Sequence, residues 1–459
     1  MTTFRLALAA LGLASAVVAG CSPPEDQLAK GRNLVLISLD TLRADRLCAH
    51  GYSVQGSSPS PRLDDLMGNG VRFASASAPR AITWPSLATV LTGLYPRSHG
   101  VADNGYKLAD DLPTLATILQ SEGYRTGRFL SNMCQANPSG WDQTYCSRGN
   151  DSKIDPQALE WLDSLEDGPL FFLWVHYFGA HSPYYNGGTR AAQRLDPGYE
   201  GPVAPKKGWL NRIMLEKIPL NEADLRHLDA LYDAAVMGSD RFVGALLDGL
   251  KERGMLDNSL IVLLSDHGEE LYDHNAYIYH ACSVYQTGLH VPLAFVAPGI
   301  IPAGDVVEQS VELLDVSPTV LELLGVEAPP SLQGSSLVPY LLDPGTEEEG
   351  RPAFSEYGDT RIHTVLSGNW KLVDNPDHDS PICLPGATER HYPVAPVELY
   401  NLVEDPLEKR NLAEQYPEKV EELRELIRRR FADLPNRLTP QEIPEELKEE
   451  LEALGYVAN

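Results

Sequence analysis

The sequence predicts an α/β fold, a largely parallel sheet flanked by helices, with a smaller C-terminal α+β subdomain. Three observations predict it. Four apolar runs are continuous rather than alternating, helical spacing fills the stretches between them, and acidic residues stand where two of the runs end. The runs are Asn33–Leu39, Leu170–Phe178, Ser259–Ser265 and Val291–Val296. Continuous apolar strands belong in a sheet buried on both faces. The clearest helix is Leu225–Glu252, with Gly254 just past its end. Asp40 follows the first run and Asp266 the third. In open α/β sheets the crevice beyond the carboxyl ends of the strands is where ligands bind.

A Pro/Gly/Glu-rich stretch at Leu341–Gly350 breaks the pattern and reads as a linker or long loop. Short strands at Thr364–Leu366 and Trp370–Val373, then a charged helix at Glu418–Phe431, form the smaller subdomain. The expected organisation is a leader over 1–20, a linker over 21–32, a catalytic α/β domain over 33–345 and the subdomain over 346–459. At 459 residues the chain is long enough for one large core with a companion. Its 43% hydrophobic and 22% charged content is ordinary for a globular protein. A formal net charge of −27 disfavours nucleic acid as a partner, because binding there requires phosphates to be neutralised.

The N-terminus reads as an export signal. Arg5 precedes the apolar run Leu6–Val18, which is short for a membrane span. Val18-Ala19-Gly20-Cys21 then resembles a bacterial lipobox, in which Cys21 is lipid-modified and becomes the mature N-terminus. The expected location is therefore the cell envelope, periplasmic or surface side, with a lipid anchor in the membrane. Five further cysteines remain, Cys48, Cys134, Cys146, Cys282 and Cys383. In an oxidising compartment they allow at most two bridges and leave one thiol free. Cys134 and Cys146, joined by a short loop, are the first pair to expect.

Asp40-Thr41 and Asp266-His267 are distant in sequence but are expected to meet in the crevice. Two carboxylates and an imidazole make a divalent-metal site. Each alone is also compatible with a helix cap or a turn; the case rests on their joint occurrence with further motifs. Asn33–Leu47 (NLVLISLDTLRADRL) resembles the opening motif of the sulfatase family, part of the alkaline phosphatase superfamily. Ala78–Val101 (APRAITWPSLATVLTGLYPRSHGV) is similar to that family's nucleophile segment. Ser265–His274 (SDHGEELYDH) and His290–Gly299 (HVPLAFVAPG) match two later blocks. Glu398-Leu399-Tyr400-Asn401, Asp405-Pro406, Glu408, Asn411-Leu412 and Leu454-Gly455-Tyr456-Val457 resemble its C-terminal signature.

The resemblance implies an alkaline-phosphatase-like fold and hydrolysis of sulfate or phosphate esters. It puts Asp40, Asp266 and His267 on the metal, Thr83 at the nucleophile position and Asn104 on a substrate oxygen. His181 and His280 are carried over as residues near the ester oxygens. His99 and Arg97 are expected to hold a turn together. Each role has a physical need. A metal lowers the pKa of the nucleophile and neutralises ester oxygens, a histidine protonates the leaving group, and an amide stabilises charge on the transferred group.

Two departures from the family pattern matter. Thr83 stands where a Cys or Ser is converted to formylglycine, and Leu87 replaces the Arg that usually follows the Pro-Ser pair. Formylglycine is therefore not expected. A plain threonine ester of sulfate must be cleaved by water at sulfur, which is slow, so Thr83 leans toward phosphoryl chemistry. Thr41 replaces a frequent second Asp, and His267 brings nitrogen; both favour manganese or zinc, with calcium still open. The substrate is expected to be a small-molecule, saccharide or lipid ester, and the Tyr184–Asn221 loop to shape its pocket. The alternatives are a phospho-group transferase of the envelope, whose membrane-bound forms carry helical spans, and a non-catalytic binding lipoprotein, which would be expected to lose metal ligands.

Overall fold

A computed structural model describes residues 28–439 and Gln441, apart from 135, 137, 167, 185–188, 207–208, 210–211, 214–217, 275–276, 347–349, 358–361 and 379–393. The leader with Cys21, Cys383 and the Leu454–Val457 segment lie outside the described residues.

The strands up to residue 312 are β1 Asn33–Leu39, β2 Val71–Ser77, β3 Arg125–Leu130, β4 Gln143–Cys146, β5 Phe171–Tyr177, β6 Ser259–Ser265, β7 Glu270–Leu271, β8 Ile278–Tyr279, β9 His290–Val291, β10 Leu293–Val296 and β11 Asp305–Glu312. Nine of them form one sheet in the order β11-β2-β10-β6-β1-β5-β3-β4, with β9 alongside β2. From β6 through β1, β5 and β3 to β4 every pairing is parallel. β10 runs antiparallel between β6 and β2, and β2 is parallel to β11. The sheet is thus largely parallel, as its apolar runs predict. One of those runs, Val291–Val296, is split into β9 and β10 at Pro292. Proline has no N–H to give to a ladder, so pairing breaks there.

Alternate residues of each central strand feed two cores, because successive side chains point to opposite faces. Val35, Ile37, Leu39, Leu173, Val175, Ile261 and Leu263 join the core that includes Leu228, Leu231 and Val243 of the long helix Glu222–Glu252. Leu34, Leu36, Phe172, Trp174, Leu260, Val262 and Leu264 join the core on the other face, with Trp84, Leu87 and Leu91 of the helix Thr83–Thr92. The long helix begins three residues before the first apolar residue of its stripe. Asn221 Oδ1 accepts the N–H groups of Ala223 (2.8 Å) and Asp224 (3.1 Å), and Asp224 returns a carboxylate to the Asn221 N–H at 2.9 Å. This reciprocal cap satisfies N–H groups that a helix end leaves open.

β12 Ala353–Tyr357, β13 Ile362–Ser367, β14 Trp370–Asp374 and β15 Val397–Asn401 form a separate antiparallel sheet in sequence order. The helix Pro417–Phe431 covers it through Val420, Leu423, Ile427 and Phe431, a stripe at helical spacing. Tyr95 and Leu314 of the larger unit share this third core. Cys134 and Cys146 are bonded to each other, Cys282 is also disulfide-bonded, and Cys48 is free and exposed. No helix among the described residues is long and apolar enough to cross a membrane.

Candidate active site

β1 and β6 are neighbours in register, with Leu39 opposite Ser265, so Asp40 and Asp266 leave the sheet side by side. Backbone bonds hold both. The Asp40 N–H donates to the Tyr177 carbonyl at 3.0 Å and the Asp266 N–H to that of Leu39 at 3.3 Å. Thr41 turns the chain sharply at φ 57°, and its N–H donates to Asp266 Oδ1 at 3.2 Å. The His267 N–H donates to the same oxygen at 2.8 Å. Asn132 Nδ2 donates to Asp40 Oδ2. Two oxygens remain, Asp40 Oδ1 and Asp266 Oδ2; both are buried and have no hydrogen-bond partner among the described residues.

His267 faces those two oxygens. Its Nδ1 lies 2.9 Å from the Gly268 carbonyl, which can only accept, so Nδ1 carries the proton and Nε2 presents a lone pair. Nε2 is 3.6 Å from Asp40 Oδ1 and 3.6 Å from Asp266 Oδ2. One donor atom from each of the three residues lies within 4.8 Å of the others, and all three residues are fully buried. Three electron-pair donors therefore converge, and the described residues give Asp40 and Asp266 no lysine or arginine partner. On protein groups alone, burial and the neighbouring Asp266 push Asp40 well above the carboxylate range, burial raises Asp266 to about 8, and burial followed by His280 holds His267 well below its ordinary value. A divalent cation reverses this arithmetic, and the donor set of carboxylate oxygens with a neutral imidazole fits one.

Thr83 enters from the opposite core as the first residue of its helix, with no exposed surface. Its Oγ1 is 3.3 Å from His267 Nε2. Asn104 clamps the same turn: its Oδ1 accepts the Trp84 N–H at 2.8 Å, and its Nδ2 is buried with no partner among the described residues. His280 and His181 extend the row. The His267 and His280 rings are 4.6 Å apart and the His280 and His181 rings 4.8 Å, while His181 stacks on Phe178 at 4.3 Å. Burial lowers both His181 and His280 to about 3.

Two glycines make the crowding possible. A Cβ on Gly268 would lie 2.0 Å from the Thr287 carbonyl oxygen. That close approach lets its N–H reach the Gly288 carbonyl at 2.8 Å and fixes the segment after His267. Gly179 has φ 59°, and a Cβ there would sit 3.1 Å from the Asp40 carbonyl oxygen.

The sequence-derived residues Asp40, Asp266, His267, Thr83, Asn104, His181 and His280 thus all gather around the ends of β1 and β6. His99 holds its turn as expected: Nδ1 accepts the Val101 N–H at 3.1 Å, and Nε2 lies 3.1 Å from Thr89 Oγ1. Arg97 bridges toward the small sheet through its N–H to Glu356 at 2.7 Å. His274 stacks on Tyr285 at 3.8 Å and bonds Glu270 at 3.2 Å, away from the row of histidines.

Three residues were not singled out from the sequence. Glu269 Oε1 lies 3.1 Å from His280 Nδ1, and burial raises Glu269 to about 8. His176, on β5, meets Ser38 Oγ at 2.8 Å. Asn132 holds Asp40. Only Glu269 carried a signal, its place in Asp266-His267-Gly268-Glu269-Glu270, and nothing there separates it from Glu270. That neighbour instead accepts from Ser283 and Thr287, at 2.6 Å each.

The family model described as Sulfatase matches residues 32–326. Arylsulfatase K of Xenopus laevis is 26% identical over 437 residues, covering 80% of this chain and 77% of that protein. N-acetylglucosamine-6-O-sulfatase of Bacteroides thetaiotaomicron is 23% identical over 531 residues, covering 93% of this chain and 90% of that one. The fold is shared with a protein solved in complex with its substrate D-glucosamine-2-N,6-O-disulfate, at TM-score 0.70, 20% identity and coverage of 89% of this chain and 100% of the other. It is shared equally with the phosphonate monoester hydrolase of Agrobacterium radiobacter, at TM-score 0.69, 22% identity and coverage of 90% and 98%. With its family model spanning most of the chain and its ordered motifs gathered at one strand-end crevice, this chain belongs to the sulfatase family, on the alkaline-phosphatase-like fold.

Proposed function

We propose that the chain is a metal-dependent ester hydrolase in which Thr83 is the covalent nucleophile and Asp40, Asp266 and His267 hold the cation. The observation that carries this reading is the pair of donorless carboxylate oxygens facing the His267 Nε2 lone pair, with Thr83 Oγ1 at 3.3 Å from that nitrogen. A divalent ion bound there lowers the pKa of a nearby hydroxyl and neutralises ester oxygens.

The rest falls to the chain's own groups. Thr83 Oγ1 attacks the sulfur or phosphorus, and the bond to the leaving oxygen breaks. Burial keeps His181 and His280 neutral, so the proton they relay to the leaving oxygen is the one Thr83 gives up, and the group departs as an alcohol. The Asn104 amide, whose Nδ2 has no partner among the described residues, donates to an oxygen of the transferred group. Water then attacks the esterified Thr83, freeing the hydroxyl and releasing sulfate or phosphate. Sulfate esters are the family's substrate class; two similar proteins are named an arylsulfatase and an N-acetylglucosamine-6-O-sulfatase, and one protein of the same fold is a phosphonate monoester hydrolase. Thr83 extends the class to phosphate and phosphonate esters, because a phosphoryl-threonine is opened by water at phosphorus far more readily than its sulfuryl counterpart. Residues 33–345 form the catalytic unit in this reading. Cys21 is the lipid anchor at the cell envelope, and lipid labelling is expected to disappear in Cys21→Ala.

The deciding experiment incubates the manganese-loaded chain with aryl sulfates, phosphate monoesters, phosphate diesters and phosphonate monoesters, then searches for a covalent adduct by mass spectrometry. The expected result is a phosphoryl or sulfuryl group on the peptide containing Thr83. Turnover undiminished in Thr83→Ala would sink the assignment.

A further inference from the structure

The segment between β3 and β4 carries a residue that the family reading does not supply. β3 ends at Leu130, and Asn132 follows with no exposed surface. Asn132 Nδ2 donates to Asp40 Oδ2. That bond occupies one carboxylate oxygen and leaves the other, Oδ1, 3.6 Å from His267 Nε2. The orientation of the amide follows from charge, since its oxygen turned toward a carboxylate would repel it. Oδ1 of Asn132 is itself buried and without a partner among the described residues, so the Asp40 contact is the bond the structure gives this side chain.

What holds Asn132 there is a short bolted turn. The Ser131 N–H donates to the His176 carbonyl at 2.8 Å, and Met133 adopts φ 54°, reversing the chain. Two residues beyond Asn132, Cys134 is bonded to Cys146 with their Cα atoms 5.5 Å apart. Cys146 is in register with Leu130, so the bond ties the far end of the turn back to the sheet. Cys146 Sγ lies 3.7 Å from the Asn132 carbonyl oxygen. β4 is a four-residue strand at the edge of the sheet, paired among the described residues with β3. A short edge strand is weakly held by its own ladder, and the disulfide adds a covalent attachment to the bonds from the Ser147 N–H to the Leu130 carbonyl at 2.9 Å and from Arg128 Nε to Thr144 Oγ1 at 3.0 Å.

We propose that Asn132 is a positioning residue that sets Asp40 for the metal, and that the Cys134–Cys146 disulfide holds Asn132 in place, so that opening this bond weakens metal affinity. The proposal rests on the metal site of the preceding section. Partners that orient metal ligands typically contribute 10- to 100-fold in affinity. In chemical terms a dithiol gives two electrons and two protons to the S–S bond, which becomes two thiols, while the reagent closes to its cyclic disulfide. The consequence is an enzyme fully metallated in an oxidising compartment and partly demetallated in a reducing one.

The test is manganese(II) binding to the full chain by titration calorimetry, with no substrate present. Asn132→Ala is expected to raise Kd roughly 10- to 100-fold. Cys134→Ser with Cys146→Ser is expected to raise it about tenfold, and the triple variant to bind no more weakly than Asn132→Ala alone, because the two changes act through one contact. An unchanged Kd in Asn132→Ala, or losses that multiply in the triple variant, overturns the proposal. Should the serine pair fail to fold, the wild type is titrated before and after dithiothreitol, with alkylated thiols located by mass spectrometry. The rise in Kd must then track opening of Cys134–Cys146 and not of the bond at Cys282. Wild type that binds no manganese overturns the metal reading itself; wild type that binds it with Kd insensitive to Asn132 overturns this proposal alone.

Discussion

At the ends of β1 and β6, Asp40 and Asp266 are fully buried and each keeps one oxygen without a donor among the described residues. At the junction with the small sheet, Glu408 is almost as buried, yet both its oxygens are matched. Lys371 Nζ reaches one at 2.6 Å and the Gln286 N–H the other at 2.6 Å. Glu312, nearby in the third core, accepts from the Tyr95 hydroxyl at 2.7 Å and the Phe354 N–H at 3.0 Å. All four carboxylates are buried, and the partners differ. A buried carboxylate with its own cation and N–H donor is fold; a buried carboxylate facing another carboxylate and an imidazole lone pair is a place for something the chain does not contain. The contrast separates structural from functional acidity without reference to any relative.

Four perturbations sharpen that contrast, taken from the largest expected effect downward. Thr83→Ala should reduce turnover on the order of 10³-fold or more, since the covalent step loses its nucleophile, while metal content stays at the wild-type level. Steady-state kinetics with elemental analysis reads both. Lys371→Ala should destabilise the fold by roughly 3–5 kcal/mol, because it strands Glu408 in the interior. Denaturant unfolding measures that loss, and metal stoichiometry in the folded fraction should not move. Gly268→Ala forces a Cβ against the Thr287 carbonyl oxygen and should cost about 1–3 kcal/mol, with weaker metal binding because His267 is displaced.

The last perturbation, of the same size as Gly268→Ala, is a pH dependence. Burial lowers His99 to about 3. In the unfolded chain a histidine takes up its proton near 6.5, so between these values the unfolded state binds more protons, and the His99 contribution to stability falls as pH falls. The stability advantage of wild type over His99→Gln should therefore shrink between about pH 7 and about pH 4.5, by roughly 1–3 kcal/mol. An advantage that grows on acidification would contradict the burial argument.

What the sequence revealed follows the same physics. β1, β5 and β6 were legible because strands covered on both faces must be apolar throughout. β2, β3 and β11 were not, since VRFASAS, RTGRFL and DVVEQSVE carry polar and charged residues that the packing absorbs. Arg128 is the clearest case: it is buried inside β3, with its guanidinium over the Trp141 ring at 6.0 Å. Asp40, Asp266 and His267 were legible because they immediately follow legible strands. Asn132 was hidden with the strand it follows, and Glu269 was hidden because adjacent glutamates look alike until one faces His280 and the other faces Ser283 and Thr287. Residues that act through a partner have no pattern of their own in the sequence.

The most direct test of the contrast is metal stoichiometry in Asp40→Asn and Asp266→Asn beside Glu408→Gln, after loading with manganese(II) or zinc(II) and exhaustive dialysis. About one ion per chain is expected in wild type and in folded Glu408→Gln, and a large loss in both aspartate variants, since each aspartate, unlike Glu408, keeps an oxygen with no donor among the described residues. Full occupancy in both aspartate variants, or an equal loss in Glu408→Gln, would contradict it.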